Sequence, residues 1–371
     1  MIVKDESKVI TRCLASVLNL IDNWVIVDTG STDGTQQIIK DYMAEKNIPG
    51  ELHERPWKNF GHNRNEALIL AKNKADYIFF IDADNFYEYD SNFKLPSLEK
   101  DFYYTNLLDA GTKYPRISLI KNDLNWEWKG VLHEAVCCDV ARNYATLGNV
   151  NQIVRSDGAR SKDAQKYEKD AAVFEEALKE DPNNSRYVFY LAQSYRDAGN
   201  NQKALENYEK RAKMGDWDEE VFYSLLRVGN LQEALKMPFD TVMASYKKAF
   251  QFRKTRMEPL YHMMQLFEQQ GNYNAGYLIG KIAQTLPSST DILFVQQWIY
   301  DYGMLLELSV CAYWIGKYEE CQQISVELLK KELPTDIKKI TENNLAFAND
   351  KLLDQAIESI TQGEPLLVGA N

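Results

Sequence analysis

Val27-Asp28-Thr29-Gly30-Ser31-Thr32-Asp33-Gly34-Thr35 decides the reading of the N-terminal half. The run that leads into it, Trp24-Val25-Ile26-Val27, is short, apolar and β-branched, as a strand buried on both faces requires. Asp-Thr-Gly-Ser ends the run, and Thr35 to Lys46 follows with a helical pattern behind residues that favour helix starts. Gly30 lets the backbone approach a ligand closely, and free amides at a helix start favour anions. Taken alone, the segment reads equally well as a plain strand–turn–helix with an N-cap.

Working outward, Tyr77-Ile78-Phe79-Phe80-Ile81 is a second continuous apolar run. Between the two lies a helical stretch, Asn63 to Lys74, with Ala67, Leu68, Leu70 and Ala71 on its apolar side. Strand, helix, strand, helix in this order predicts an open, mostly parallel α/β sheet. Ligands then sit at the carboxyl ends of the strands, which draws attention to the residues after Val27 and Ile81. Asp82-Ala83-Asp84 stands at the second of these ends, and two carboxylates two apart there suit a divalent cation and a ribose. Asp216-Trp217-Asp218 has the same spacing with no strand before it, so the preceding strand is what separates the two. No G-x-G-x-x-G and no G-x-x-x-x-G-K-[ST] occurs, which removes dehydrogenases and P-loop hydrolases.

From about Tyr167 the pattern becomes helix after helix, and a period of 34 residues emerges. Phe174 and Tyr208 are one period apart, and Leu191, Ala192, Tyr195, Gly199 and Ala204 fall where a tetratricopeptide unit places them. Weaker copies carry Met263, Phe267 and Gly271, then Leu308, Ser309, Ala312, Gly316, Cys321 and Ser325. The recurring small residues mark helix crossings, which a heptad would not explain. The expected division is an α/β domain over 1–160 and an all-α helical-repeat domain over 161–371.

The net charge of −11 and pI near 5.1 argue against nucleic acid or an anionic membrane as the main partner. Charged residues follow Met1 too early for a signal peptide, and no apolar run reaches the roughly 18 residues of a membrane span. Cys13, Cys137, Cys138, Cys311 and Cys321 lack metal-site spacing, so reduced structural thiols in a cytoplasmic protein are expected. His53 and His62 read as surface or loop residues, and Trp57, Trp126 and Trp128 as packing.

Val27 to Thr35, Asp82 to Asp84 and their spacing resemble family-2 glycosyltransferases of the GT-A, Rossmann-like fold. So do Pro56-Trp57-Lys58-Asn59-Phe60 and Arg64-Asn65-Glu66-Ala67-Leu68 between them. Trp128 to Glu134 and Asp157-Gly158-Ala159-Arg160-Ser161 are similar to one branch of that family, which commonly carries C-terminal tetratricopeptide repeats. The resemblance covers roughly residues 1–215. Departures are a short first strand at Met1-Ile2-Val3, Asn85 where an acidic residue is common, and a short stretch from Phe86 to Asn125.

The resemblance implies a set of roles. Asp28 would bond the base of a nucleotide sugar, a UDP-sugar, with Lys4, Asp5 and Glu6 close by and Gly30 and Ser31 in the same donor loop. Arg64 would contact the nucleotide half of the donor, and Asp82 the ribose or the metal shell. Asp84 would bind Mn²⁺ or Mg²⁺, His133 would add a metal contact, and Arg160 would neutralise the leaving diphosphate. Transfer with inversion needs a base for the acceptor, for which Glu134 is the candidate. Adjacent residues on an extended segment point apart, so His133 and Glu134 need not share one site.

Hexosyl or N-acetylhexosaminyl transfer to a protein, peptide or glycan acceptor is the leading expectation. The repeats would hold an acceptor polypeptide or a homodimer. Two alternatives stand beside it: a nucleotidyltransferase, for which Met1–Thr11 lacks the glycine-rich loop, and an inactive front domain on a helical-repeat interaction scaffold.

Overall fold

The computed structural model describes residues 1–109, 112–287 and 289–362. The chain divides into two compact units, Met1–Pro182 and Asn183–Asn371. In the first, β1 (Ile2–Val3), α1 (Ile10–Val17), β2 (Trp24–Asp28), α2 (Thr35–Glu45) and β3 (Gly50–Glu54) alternate. The three strands form one parallel sheet in the order β1-β2-β3. Val3 pairs with Asp28 and Asp28 with Glu54, so the carboxyl ends finish level. Ile26 and Val27 are buried, and Ile26 packs with Ile10, Leu14, Ile39 and Met43 from the two helices.

The next helix, α3 (Phe60–Ala71), starts three residues before the expected Asn63. The reason is Asn59, whose side chain accepts the His62 N–H at 2.8 Å and caps the helix. It also stops before Lys74, because Lys72 is extended and its ammonium donates to the carbonyls of Asn122 and Leu124.

Beyond α3 the strands are β4 (Tyr77–Phe79), β5 (Phe86–Tyr89), β6 (Phe102–Asp109), β7 (Thr112–Lys121), β8 (Glu127–Lys129), β9 (Ala135–Cys137) and β10 (Tyr144–Ile153), followed by α4 (Lys166–Glu180). A second sheet has the order β4-β7-β6-β10-β5, and β8 and β9 form a separate hairpin ladder. Only β6 and β10 pair in parallel in that second sheet. The expected parallel arrangement therefore holds for β1 to β3, while the rest of the unit is mixed. The cause is local: among the described residues of 86–153 no helix serves as a crossover, and β7 returns directly beside β6. Between the two sheets lies a cavity of about 1120 Å³, lined by Ile2, Val25, Ala67, Leu68, Ile78 and Phe79 among others.

Gly61 joins the fold to the site. A Cβ at this buried position in the first turn of α3 would lie 2.0 Å from the Gly130 carbonyl oxygen, just past β8. Backbone does not yield as a side-chain tip does. Gly61→Ala is therefore expected to destabilise by roughly 1–3 kcal/mol, as overpacking does. Denaturant unfolding checks this, and an unchanged midpoint would show that Gly130 moves freely.

In the second unit α5 (Ser185–Asp197), α6 (Asn201–Arg211), α7 (Asp218–Ala234), α8 (Phe239–Phe252), α9 (Glu258–Gln269), α10 (Tyr273–Ala283), α11 (Met304–Trp314), α12 (Tyr318–Leu329) and α13 (Thr335–Thr361) pack on their chain neighbours. Of the recurring small residues, Gly199, Gly271 and Gly316 end helices with positive φ and open space around them, so they mark turns rather than crossings; other glycines stand at the crossings. A Cβ on Gly280 would meet Leu308 at 2.8 Å, one on Gly276 would meet the Cys311 sulfur at 2.7 Å, and one on Gly229 would meet Tyr246 at 2.5 Å. Asn184, Asn200 and Asn272 each cap a helix by accepting a backbone N–H. Asp216 and Asp218 sit at the start of α7, as a helix-entry pair.

All five cysteines are free: Cys13, Cys311 and Cys321 are buried, and Cys137 and Cys138 half-buried. No helix among the described residues is long and apolar enough to cross a membrane.

Candidate functional site

The level carboxyl ends of β1 and β2 bring two loops together. Asp28 closes β2 with no exposed surface. Its Oδ1 accepts the backbone N–H groups of Gly30 at 2.9 Å and Ser31 at 2.8 Å, and the Gln36 side chain at 3.1 Å. Gly30 has φ of 107°, which turns the chain so that both N–H groups face back to the carboxylate. The second oxygen, Oδ2, is buried with no hydrogen-bond partner.

The loop after β1 is laced to the loop after β2. Asp5 donates its backbone N–H to Ser31 Oγ at 2.9 Å and accepts the Thr32 N–H at 2.7 Å, from a left-handed backbone with φ of 56°. Glu6 and Ser7 donate theirs to Thr35 Oγ1 at 2.8 Å and Asp33 Oδ2 at 3.0 Å. Burial would raise the pKa of Asp33, but hydrogen bonds from Thr35 and Ser7 prevail and hold it at about 2. Lys4 is exposed before them. Asp5, Glu6, Asp28, Gly30 and Ser31 thus lie together on two hydrogen-bonded loops.

Glu6 behaves differently. Burial, reinforced by the nearby Asp84 and Asp33, pushes its pKa up to about 7 against the N–H that Ala159 donates to it at 3.3 Å. Burial likewise raises Asp84, with Asp82 and Asp157 adding to the effect and Arg12 opposing it. Burial and the neighbouring acids therefore disfavour the charged forms of Glu6 and Asp84 where these loops meet.

Asp82 takes another role in the structure. Arg64 donates to its Oδ1 at 2.6 Å and Arg116 to its Oδ2 at 3.0 Å. Burial works to raise the pKa of Asp82, yet the two guanidiniums hold it well below the usual carboxylate range. Arg64 also pairs through Nε with Glu134 and lies 5.0 Å from the Trp128 ring centroid. Arg64, Asp82 and Glu134 are thus one chain of ion pairs, with Glu134 only 7% exposed.

His133 and Glu134 diverge. His133 has φ of 52°, and its ring stacks with Phe174, centroids 6.3 Å apart, while Glu134 turns to Arg64. Arg160, in a short turn over Arg160–Lys162, pairs with Asp170 and lies 4.4 Å from the Phe60 ring centroid. Among the described residues, no group of three or more His, Cys, Asp or Glu side chains is close enough to hold a metal ion. The set Asp82, Asp84 and His133 is accordingly not assembled in this conformation.

Three residues of the site escape sequence reading: Arg12, Arg116 and Asp157 in its pairing with Arg12. Arg12 holds Asp157 in a two-pronged ion pair at 2.7 and 2.8 Å. Its sequence position beside the apolar Ile10, Cys13, Leu14 and Val17 of α1 marks it only as the flank of a helix. Arg116 follows Pro115 on β7, and its partner is 34 residues away. Nothing local signals either pairing.

Comparison with known proteins places the N-terminal residues. Residues 1–95 match the family model described as Glycosyl transferase family 2. The SPbeta prophage-derived glycosyltransferase SunS of Bacillus subtilis (strain 168) is 26% identical over 230 residues, covering 57% of this chain and 51% of that protein. The chain spans about half the length of that relative. A TPR repeat-containing protein of Synechococcus elongatus is 38% identical over 84 residues, 23% of this chain and 19% of its own length. Among solved structures, a tetratricopeptide repeat protein from Parabacteroides merdae is 18% identical with a TM-score of 0.38, covering 54% of this chain and 75% of that one.

Proposed function

We infer from a family-2 glycosyltransferase segment at the N-terminus, joined to tetratricopeptide-like repeats, that this chain moves a sugar from a nucleotide-sugar donor to an acceptor hydroxyl or thiol. A UDP-linked hexose or N-acetylhexosamine is the proposed donor, and a protein, peptide or glycan the acceptor. The observation that carries this reading is the buried Asp28 carboxylate at the carboxyl end of β2, with one oxygen satisfied and the other without a donor. An unmet buried acceptor costs about 1–3 kcal/mol, and the imide N–H of uracil would supply what it lacks once the Gly30–Ser31 turn moves aside, because Asp28 has no exposed surface here.

In this reading Asp28 selects the base and the Gly30–Ser31 turn fits close to the donor. Asp84, aided by Glu6, would hold Mn²⁺ or Mg²⁺, which supplies charge stabilisation for the departing diphosphate. Asp82 keeps Arg64 in place rather than binding the cation, since both its oxygens face guanidiniums. Glu134 is the proposed base for the acceptor proton; that role requires its carboxylate to part from Arg64 when the acceptor arrives. Arg160 would leave Asp170 to meet the diphosphate. The relative described as a glycosyltransferase supports group transfer, and inversion at the anomeric carbon follows from the family analogy alone.

The test is nucleoside diphosphate release from a panel of UDP-sugars with Mn²⁺. Release from one donor supports the reading and names the sugar. No release together with no donor binding by calorimetry would overturn it in favour of an inactive domain on a scaffold. Asp28→Asn sharpens the base assignment. Asparagine keeps one oxygen for the Gly30 and Ser31 N–H groups but presents a donor where uracil also presents one. UDP affinity is expected to fall at least ~10-fold, about 1.4 kcal/mol. Equal affinity in the variant would remove Asp28 from the base pocket.

A further inference from the structure

Arg12 stands on α1, distant in sequence from Asp84 and from Asp157, yet its guanidinium reaches both. One prong pair holds Asp157 Oδ2 at 2.7 Å and Oδ1 at 2.8 Å. The same Nη2 donates to the backbone carbonyl of Asp84 at 2.7 Å. The guanidinium also lies 5.4 Å from the Phe86 ring centroid, and Arg155 lies 5.6 Å from the same centroid. Next to Asp157, Gly158 presses on Asp84: a Cβ there would stand 2.9 Å from both Asp84 Cβ and Oδ2. The following residue, Ala159, donates its N–H to Glu6 at 3.3 Å, and Arg160 comes next.

We propose that Arg12 is a positioning residue that clamps the Asp157–Lys162 loop onto Asp84 and so sets the geometry of the donor site. The proposal rests on the functional reading above. A surface ion pair by itself contributes little to stability. Here the planar fork matters for geometry: it fixes a carboxylate on the loop and a carbonyl at the end of the β4 segment relative to one another, from a third element. Only arginine can serve both at once, because its five N–H groups lie in one plane. Without the fork, Gly158 and Ala159 lose the anchor that keeps them on Asp84 and Glu6, and Arg160 is carried by a looser loop.

The test begins with the full-length protein without ligand, by hydrogen exchange. In Arg12→Gln the amides of residues 157–162 are expected to exchange on the order of tenfold faster, with β1 to β3 unchanged. Asp157→Asn should give the same change from the loop side, and the double variant should add nothing further. Arg12→Lys should fall between, since an ammonium cannot form the fork. With an active donor, KM in Arg12→Gln should rise about fivefold or more and kcat should fall with it, because Asp84 and Arg160 act on the departing diphosphate, while Arg12→Lys recovers part of both.

Unchanged exchange at 157–162 in both Arg12→Gln and Asp157→Asn would overturn the clamp. Faster exchange with an unaltered donor KM would overturn its link to the donor site. A wild type that neither turns over nor binds any UDP-sugar would refute the function, and the clamp as a donor-site device with it, while the exchange result still decides the contact itself. If Arg12→Gln loses protection throughout the unit, Asp157→Asn, which alters only the exposed end of the pair, decides in its place.

Discussion

Replacing Asp84 with alanine is expected to lower turnover at least ~100-fold, roughly 3 kcal/mol of transition-state stabilisation, if a divalent cation assists the leaving diphosphate. Asp84 is the acid of the Asp82-Ala83-Asp84 turn whose side chain no arginine neutralises. Arg12 reaches its backbone carbonyl, and burial together with Asp82 and Asp157 leaves its carboxyl raised. Alanine removes the charge that would attract the cation but leaves the Arg12 contact, which uses the backbone. The folded domain should therefore survive, and donor release should be measured beside a thermal melt. An equal rate in the variant, or full wild-type activity in excess EDTA, would remove the cation from the mechanism.

Arg64→Ala is expected to act on stability first, by about 3–5 kcal/mol, because it strands the Glu134 carboxylate and leaves Asp82 with one of its two guanidiniums. Arg64 is 12% exposed at its side chain, Glu134 7% and Asp82 25%. Removing it leaves Glu134 facing the Trp128 side of the hairpin without a counter-charge and leaves Asp82 with Arg116 alone. Because the chain has two compact units, the loss should be read by hydrogen exchange in β4 and β7 rather than from one global transition. Neutralising all three residues together, Arg64→Met with Asp82→Asn and Glu134→Gln, should be milder than Arg64→Ala, since Arg116, which then loses Asp82, is 30% exposed at its side chain while Glu134 carries no charge. A single variant as stable as wild type would mean that water reaches both acids.

What the sequence made legible follows the range of each interaction. The strand Trp24–Asp28, its turn at Gly30 and the helix behind Thr35 are encoded within about ten residues, and they appear at those positions. The helical repeats were legible for the same reason: Ala192, Ala204 and Ala312 are buried where small residues recur, whereas Gly199, Gly271 and Gly316 mark turns after helices, with φ between 67° and 77°, rather than crossings. Strand direction after β4 was not, because it depends on which strand returns beside which, and β6 to β7 is a return with no helix between. Asp82 and Asp84 look equivalent in Asp-x-Asp. Only their partners, Arg64 and Arg116 for one and the Arg12–Asp157 neighbourhood for the other, distinguish them. Arg12 and Asp157 are 145 residues apart, beyond any local pattern. The division read at 160/161 follows the change of period, whereas the compact units meet between Pro182 and Asn183, with α4 in the first.

The distribution of thiols gives the molecule a built-in place for a reporter. Three cysteines are sealed in cores, where burial raises their thiols and suppresses the thiolate that alkylating dyes attack. Cys137 and Cys138 remain half-accessible at the end of the hairpin ladder whose turn carries Glu134. A maleimide fluorophore would therefore settle on that hairpin without engineering, and its emission would report changes in the hairpin's surroundings when candidate ligands are added.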